Sequence, residues 1–389
     1  MNKTLLATAV AVLLTAPSVS AIELYKNATT DATLGGYLGV RALNNDSETQ
    51  LVNGSSRINF NFTHKLSNGW SAFSTLEWGI EPFGDTDLVY NNDSQITSQT
   101  SNLFYSRLAY IGLEHDKYGS LSFGKQWGSW YNVVGGTDNA YVWGGAAGGE
   151  YNIDGSGSLD GTGRADKAIQ YNLTVGKFSL SLQTQLQQNS IDVTAFSNNN
   201  VSSTLTFDNT YGGSLSYAIT DKLSVAIGAN FGKFGGFNAT NNSPIDADDE
   251  IYGGSITWGN ISDEGWYFSA NYNRNKYHDT DVDGHLIPES YGVEAFVAYL
   301  FDNGIQPYFA YNGLISTADY RFPVANNGSF TTSTVTDSNQ EYYVIGTVYF
   351  WDPAVLAYIE AQIDNSDYVV DGVKADNNNA VAVGLRYTF

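Results

Sequence analysis

The chain has 389 residues, no cysteine, 40 acidic against 18 basic side chains and a formal charge of −22. This excludes a disulfide framework, a thiolate zinc site and a cysteine nucleophile, and it argues against a nucleic-acid partner, which needs a basic footprint. Mean hydropathy is only −0.24, yet aromatics make up 14 % of the chain, too many for a disordered acidic polymer.

In chain order, Met1 to Ala21 carries Lys3 as its charged start, runs apolar from Leu5 to Leu14, passes Pro17 and ends on Val19-Ser20-Ala21. This reads as a secretory signal peptide cleaved after Ala21; about ten apolar residues are too few to cross a bilayer as a helix. Removal takes Lys3 with it, so the expected mature chain, 22–389, goes from −22 to −23.

Beyond Ala21 the pattern has period two. Phe178, Leu180, Leu182 and Leu186 alternate with Ser179, Ser181, Gln183, Gln185 and Gln187; Trp266, Phe268, Ala270 and Tyr272 alternate with Tyr267, Ser269, Asn271 and Asn273. Each such segment has one apolar and one wet face, as a strand requires. About sixteen of them follow, at 32–43, 55–66, 69–81, 102–114, 119–128, 164–175, 177–188, 207–219, 222–233, 249–260, 265–277, 289–301, 305–317, 338–350, 355–366 and 379–389. The connections alternate in length. Tight turns such as Ser67-Asn68-Gly69 and Asp302-Asn303-Gly304 are separated by long loops at 44–54, 82–101, 129–163, 189–206, 234–248, 278–288, 318–337 and 367–378. An even number of strands with all long loops at one end predicts a single all-β unit, a transmembrane antiparallel β-barrel. In lipid every backbone polar group must pair internally, and only closure removes the sheet edges. A barrel this wide keeps a water-filled channel. In the last strand Val381, Val383, Leu385, Tyr387 and the terminal Phe389 share one face, while Ala382, Gly384, Arg386 and Thr388 share the other. The terminal aromatic with apolar residues at alternate positions, Leu385, Tyr387 and Phe389, looks like the signal read by the outer-membrane barrel assembly machinery.

Phe123-Gly124-Lys125-Gln126-Trp127-Gly128, Tyr131-Asn132-Val133-Val134 and Gly135 to Gly145 lead into and through the longest loop, 129–163. This stretch resembles the fifth strand and third loop of the general, non-specific trimeric porins of Gram-negative outer membranes, and the resemblance extends over the mature chain. It implies a sixteen-stranded barrel whose third loop folds into the pore, a homotrimer in the outer membrane, contact with lipid and lipopolysaccharide, and passive diffusion of small hydrophilic solutes and ions, without cofactor or catalysis. It also implies an arginine ladder facing loop carboxylates, which carries over to Arg57, Arg107 and Arg164 on the wall and Asp138 on the loop, with Glu150, Asp154 and Asp160 as substitutes. Parity independently turns Arg57, Arg107, Glu77 and Arg41 inward. The chain departs from the family at two places: Tyr141-Val142-Trp143-Gly144-Gly145 stands where the family has Pro-Glu-Phe-Gly-Gly, so Val142 replaces the tip glutamate, with Trp143 beside it, and Tyr37 takes a position that is often basic. Acidic loops and the missing first-strand base predict a mild cation preference, which the arginine strip opposes.

Other motifs weigh less. Asp279, Asp281 and Asp283 match the start of a calcium-binding loop, but Glu289 falls out of register and Pro288 precedes it, so a plain external turn is the simpler reading and no metal is expected. That loop lies next to the acidic Asp246 to Glu250 stretch, which is read as external loop. His64, His115, His278 and His285 lack metal-ligand spacing or a serine-nucleophile partner, which points away from an enzyme. Two rivals remain: a sugar-selective channel using Trp127, Trp130, Tyr141 and Trp143 as stacking surfaces, and a secreted all-β adhesin or carbohydrate-binding protein.

Overall fold

A computed structural model describes residues 21–45, 49–82, 103–151, 153, 155–193, 203–237, 244–326 and 329–389. The expected signal peptide up to Ser20, most of the 82–101 loop and Asp154 therefore lie outside the described residues. Sixteen strands form the wall: β1 Thr30–Asn45, β2 Arg57–Lys65, β3 Trp70–Ile80, β4 Phe104–His115, β5 Gly119–Trp127, β6 Arg164–Val175, β7 Phe178–Gln185 and β8 Thr210–Ala218, followed by β9 Leu223–Phe237, β10 Pro244–Trp258, β11 Gly265–Lys276, β12 Glu289–Leu300, β13 Ile305–Ser316, β14 Ser329–Phe350, β15 Val355–Asp364 and β16 Ala380–Thr388. Each pairs antiparallel with its neighbours in sequence. β1 closes the cylinder by pairing with β2 on one side and β16 on the other.

Closure is finished by the chain's last residue: Phe389 and Gly36 exchange backbone hydrogen bonds at 3.0 and 3.1 Å. Gly36 has φ of +147°, and a Cβ there would lie 2.3 Å from the Arg57 carbonyl, so only glycine fits where β1 is squeezed between β2 and the C-terminus. Just before this joint, Ile22–Lys26 covers the edge of β1 that β16 does not reach.

The alternation follows the expected parity, with a departure in β4: a register shift opposite Glu77 and Trp78 buries Arg107 and Leu108 together, and Ile111 and Leu113 rather than Leu108 and Tyr110 face out. Trp266, Phe268 and Tyr272 project outward while Tyr267, Ser269, Asn271 and Asn273 are buried inside; Phe178 and Leu182 face out, Ser181, Gln183 and Gln185 in. The molecule is thus apolar outside and polar inside, as a lipid belt around a wet lumen requires.

Several loops contain more strand than the alternation indicated. Asn189–Val193 pairs with Ser203–Phe207, which in turn continues onto β9; Tyr320–Asn326 and Asp367–Val370 both pair with β14; Thr49–Asn53 pairs with β1. The acidic Asp246 to Glu250 stretch is not loop but the first part of β10, paired with the end of β9. In this upper rim the apolar residues change face. On β9 Phe231 and Lys233 point out, and Phe234 turns inward to pack with Leu205, Phe207, Ala247 and Leu159. Outside the bilayer the outer surface meets water, so the hydrophobic cluster forms within.

Candidate pore constriction

The 129–163 loop crosses the lumen and is held by inward side chains of strands far apart in the wall. A single turn, α1 Tyr131–Val134, packs its buried Val133 and Val134 in a cluster with Ala226 of β9 and Ile251 of β10. Tyr267 on β11 donates its hydroxyl to the Gly136 carbonyl at 2.6 Å. On β12, Glu294 accepts from the Ala147 N–H at 3.0 Å and from the Thr137 hydroxyl, and Asn271 donates to the same carboxylate at 2.8 Å. On β15, Glu360 accepts from the N–H groups of Tyr141 (2.7 Å), Val142 (3.1 Å) and Trp143 (2.7 Å), and from the hydroxyl of Tyr308 on β13. Gln183, Gln185 and Asn230 donate to the carbonyls of Gly161, Ser158 and Asp160 at the other end of the loop. A loop drawn out of contact with bulk water needs its backbone groups satisfied, and the wall supplies the partners.

Between loop and wall lies a cavity of about 1580 Å³. Arg57, Arg107, Arg164, Arg41, Glu77, Asp138 and Tyr37, all expected at a constriction, line it. Arg107 Nε donates to Glu77 Oε1 at 2.7 Å, and Arg57 Nη1 lies 3.9 Å from the same oxygen. Arg41 donates to the Tyr141 carbonyl at 3.2 Å, bringing the first strand to the loop tip. Arg164 lies over the rings of Trp127 and Tyr151 at 5.6 and 5.8 Å. Asp138 accepts the hydroxyls of Tyr131 and Tyr151, both at 2.7 Å.

Two expected positions behave differently. Trp143 is fully buried between loop and wall and does not line the cavity; Val142, though at its edge, is also buried. With their N–H groups drawn to Glu360, their side chains pack in the cluster with Leu43, Val344 and Val348. Trp130 is likewise buried, its Nε1 donating to the Gly148 carbonyl at 2.8 Å. Of the four aromatic residues considered as sugar-stacking surfaces, Trp127 and Tyr141 alone line the cavity.

Of the substitute loop carboxylates, the two described ones, Glu150 and Asp160, do not enrich the neck. Glu150 is buried with neither oxygen hydrogen-bonded, and burial, reinforced by Glu294, raises its pKa well above the usual carboxylate range. Asp160 is buried and accepts from the Thr162 N–H and hydroxyl. The calcium-loop reading is not supported by the geometry. Asp279 accepts from Asn275 and Ser290, Asp281 from the backbone of Asp283 and His285 and from the hydroxyls of Tyr320 and Tyr368, and Asp283 is exposed, so the three carboxylates do not converge. The grouping with metal-ligand proximity among the described residues is instead Asp160, Asp249 and His278. There His278 bridges the Asp249 carboxylate at 2.6 Å and the Gly149 carbonyl at 2.7 Å, a hydrogen-bonded pin between β10, its own external loop and the 129–163 loop. Burial alone would lower the His278 pKa, but Asp249 outweighs it and lifts it to about 10.

Arg386 was visible to parity as inward but was not singled out. It lines the cavity with its guanidinium carbon 4.0 Å from the Tyr37 ring centroid and 5.0 Å from that of Tyr141. Glu294 and Glu360, the loop's anchors, were also missed: an inward glutamate in a strand gives no sign of which loop it meets.

A family model described as Gram-negative porin matches residues 7–368. Similar proteins include porin-like protein L of Photobacterium profundum, 26 % identical over 395 residues, and outer membrane porin protein OmpD of Citrobacter koseri, 22 % identical over 394, each comparison covering both chains completely. Among solved structures, OmpF of Salmonella typhi in complex with daunomycin has a TM-score of 0.68 at 17 % identity, covering 95 % of this chain and 100 % of that one. OmpT of Vibrio cholerae in its trimer form has a TM-score of 0.57 at 16 % identity, covering 93 % and 100 %.

Proposed function

We propose, from the premise that this chain belongs to the Gram-negative porin family and resides in the outer membrane, that it forms a water-filled channel through which small hydrophilic solutes and ions diffuse passively. The observation carrying this reading is the cavity itself, bounded on one side by arginines that stay charged at any physiological pH and on the other by a loop fixed to the wall. A charged, hydrated neck passes polar solutes and penalises apolar ones, which must displace oriented water without replacing its interactions.

Beside the loop the cavity is lined by Arg41, Arg57, Arg107, Arg164 and Arg386, with Glu77 and Asp138 among them; Asp221, Glu264, Asp302 and Asp352 line it together with Lys177 and Lys222 at the short turns. A narrow, low-dielectric neck focuses the field, so its excess of arginine outweighs the acidic mouth, and the mild cation preference expected from total charge gives way in this proposal to a weak anion preference. The remaining expectations belong to the same proposal: residues 1–21 are removed on export, Leu385, Tyr387 and Phe389 direct insertion by the assembly machinery, lipopolysaccharide surrounds the belt, and three copies associate. A sugar-selective channel has less to stand on, because Trp130 and Trp143 are buried behind the loop.

Planar-bilayer recording of the purified protein tests the proposal. Stepwise conductance closing in threes, with a reversal potential of anionic sign in a salt gradient, is the expected result. A detergent-independent protein with no conductance would overturn the channel, and a cationic reversal potential would overturn the selectivity.

A further inference from the structure

We infer that Arg386, with Tyr37 and Tyr141, forms a binding subsite in the neck for small planar carboxylates, aromatic ones above all. The inference rests on the channel reading. Arg386 differs from the other neck arginines in its partners. Arg57 and Arg107 share Glu77, and Arg41 holds the Tyr141 carbonyl. Among the described residues Arg386 makes no ion pair and no hydrogen bond, and its buried Nε is unpartnered. Its guanidinium carbon lies over two rings, 4.0 Å from the Tyr37 centroid and 5.0 Å from that of Tyr141. Tyr141 in turn stacks on Tyr358 at 4.6 Å and 23°, which holds its ring in place.

With two rings packed on the guanidinium, what it offers a solute is its rim of N–H donors. A planar fork of donors matches a carboxylate bidentately better than it matches a spherical halide or a tetrahedral anion. A ring attached to that carboxylate lies close to the guanidinium plane and meets the tyrosines that border the cavity, where stacking adds to the ionic contact. A neutral aromatic gains the stacking but not the fork; a small ion such as chloride gains only the charge.

The test is blockade of single-channel current in planar bilayers at fixed ionic strength, with sodium benzoate as probe and benzyl alcohol and inorganic phosphate as controls. Benzoate is expected to reduce the current in a saturable manner and the controls to do so far less. Arg386→Gln should weaken the apparent benzoate affinity about tenfold, since a charged pair of hydrogen bonds is lost. Arg386→Lys should keep the anion preference while losing most of the benzoate block, because the charge remains and the fork does not; Tyr37→Leu, assayed in parallel, should also weaken the block and gives a second route should either Arg386 variant fail to assemble. Equal block by phosphate, or undiminished benzoate block in Arg386→Gln and Tyr37→Leu, would overturn the subsite and leave the channel standing. Absence of any conductance in the unmodified protein would overturn the channel and the subsite with it.

Discussion

The loop tip depends on one wall carboxylate, and removing it should convert a quiet channel into a noisy one. Glu360 is fully buried, and its two oxygens accept from four donors: the N–H groups of Tyr141, Val142 and Trp143 and the Tyr308 hydroxyl. Glu360→Ala leaves all four without that acceptor. At about 1 kcal/mol for each stranded donor, the low end of the usual range, the docked tip loses about 4 kcal/mol, roughly a thousandfold in its docking equilibrium. Glu360→Gln keeps one acceptor oxygen but places an amide NH₂ among donors, so about half of that loss is expected. The wall should not notice, because the β14–β15 and β15–β16 ladders are main-chain pairings. Single-channel recordings should therefore show flicker to a larger conductance, Ala more than Gln, while heat-modifiable electrophoretic mobility stays that of the unmodified barrel. An Ala variant with unmodified conductance and noise would refute the claim that this carboxylate holds the tip.

Three further outcomes follow from the same geometry. Glu77→Gln removes the carboxylate shared by Arg57 and Arg107; one unit charge felt at roughly 10 Å through water is worth about 0.4 kcal/mol to an anion and as much in the opposite sense to a cation, so the anion-to-cation permeability ratio from reversal potentials should rise about fourfold. His278 titrates in the folded protein at about 10 instead of its ordinary 6.5, so the stabilisation it provides is complete below pH 6.5 and is lost as pH rises through about 10. The thermal midpoint of the purified protein should fall across that window, and His278→Gln should flatten the fall. Deleting Phe389 removes the residue whose N–H and carbonyl bond to Gly36; the fraction of heat-modifiable protein recovered from outer membranes should drop, and an unchanged yield would count against its role in insertion.

Parity explains both what could be read from the sequence and what could not. Arg57 beside Ile58 and Glu77 between Leu76 and Trp78 had their faces fixed by their neighbours, and both line the cavity. Arg107 lines it for a different reason: Leu108, expected to face out, is buried beside it, and a register shift opposite Glu77 and Trp78 turns Arg107 inward although Ile111 and Leu113 of the same strand face out. The same rule turns Glu294, Glu360 and Arg386 inward, yet it is blind to what lies opposite, because contacts between a loop and a distant strand leave no periodic trace. Trp143 failed for the converse reason: in a loop there is no alternation to say which side faces water, and three backbone bonds to Glu360 turned it toward the wall. The rim strands were missed where the rule itself changes. Between Phe231, outward, and Phe234, inward, the surroundings pass from lipid to water, and the alternating pattern that marks a lipid-facing strand ends although the hydrogen-bonded ladder to β10 continues to Phe237.

The charge follows the same logic of place. A total of −22 describes the chain but not the field a solute meets. Glu294 and Glu360 spend their lone pairs on loop and wall donors, and Glu150 is buried and biased toward its neutral form, so three carboxylates that sit within the barrel contribute little to the water in its neck. The arginines cannot be neutralised in this way. Where acids serve as anchors and bases line the channel, an acidic protein can hold a cationic neck, and selectivity follows the residues left facing water.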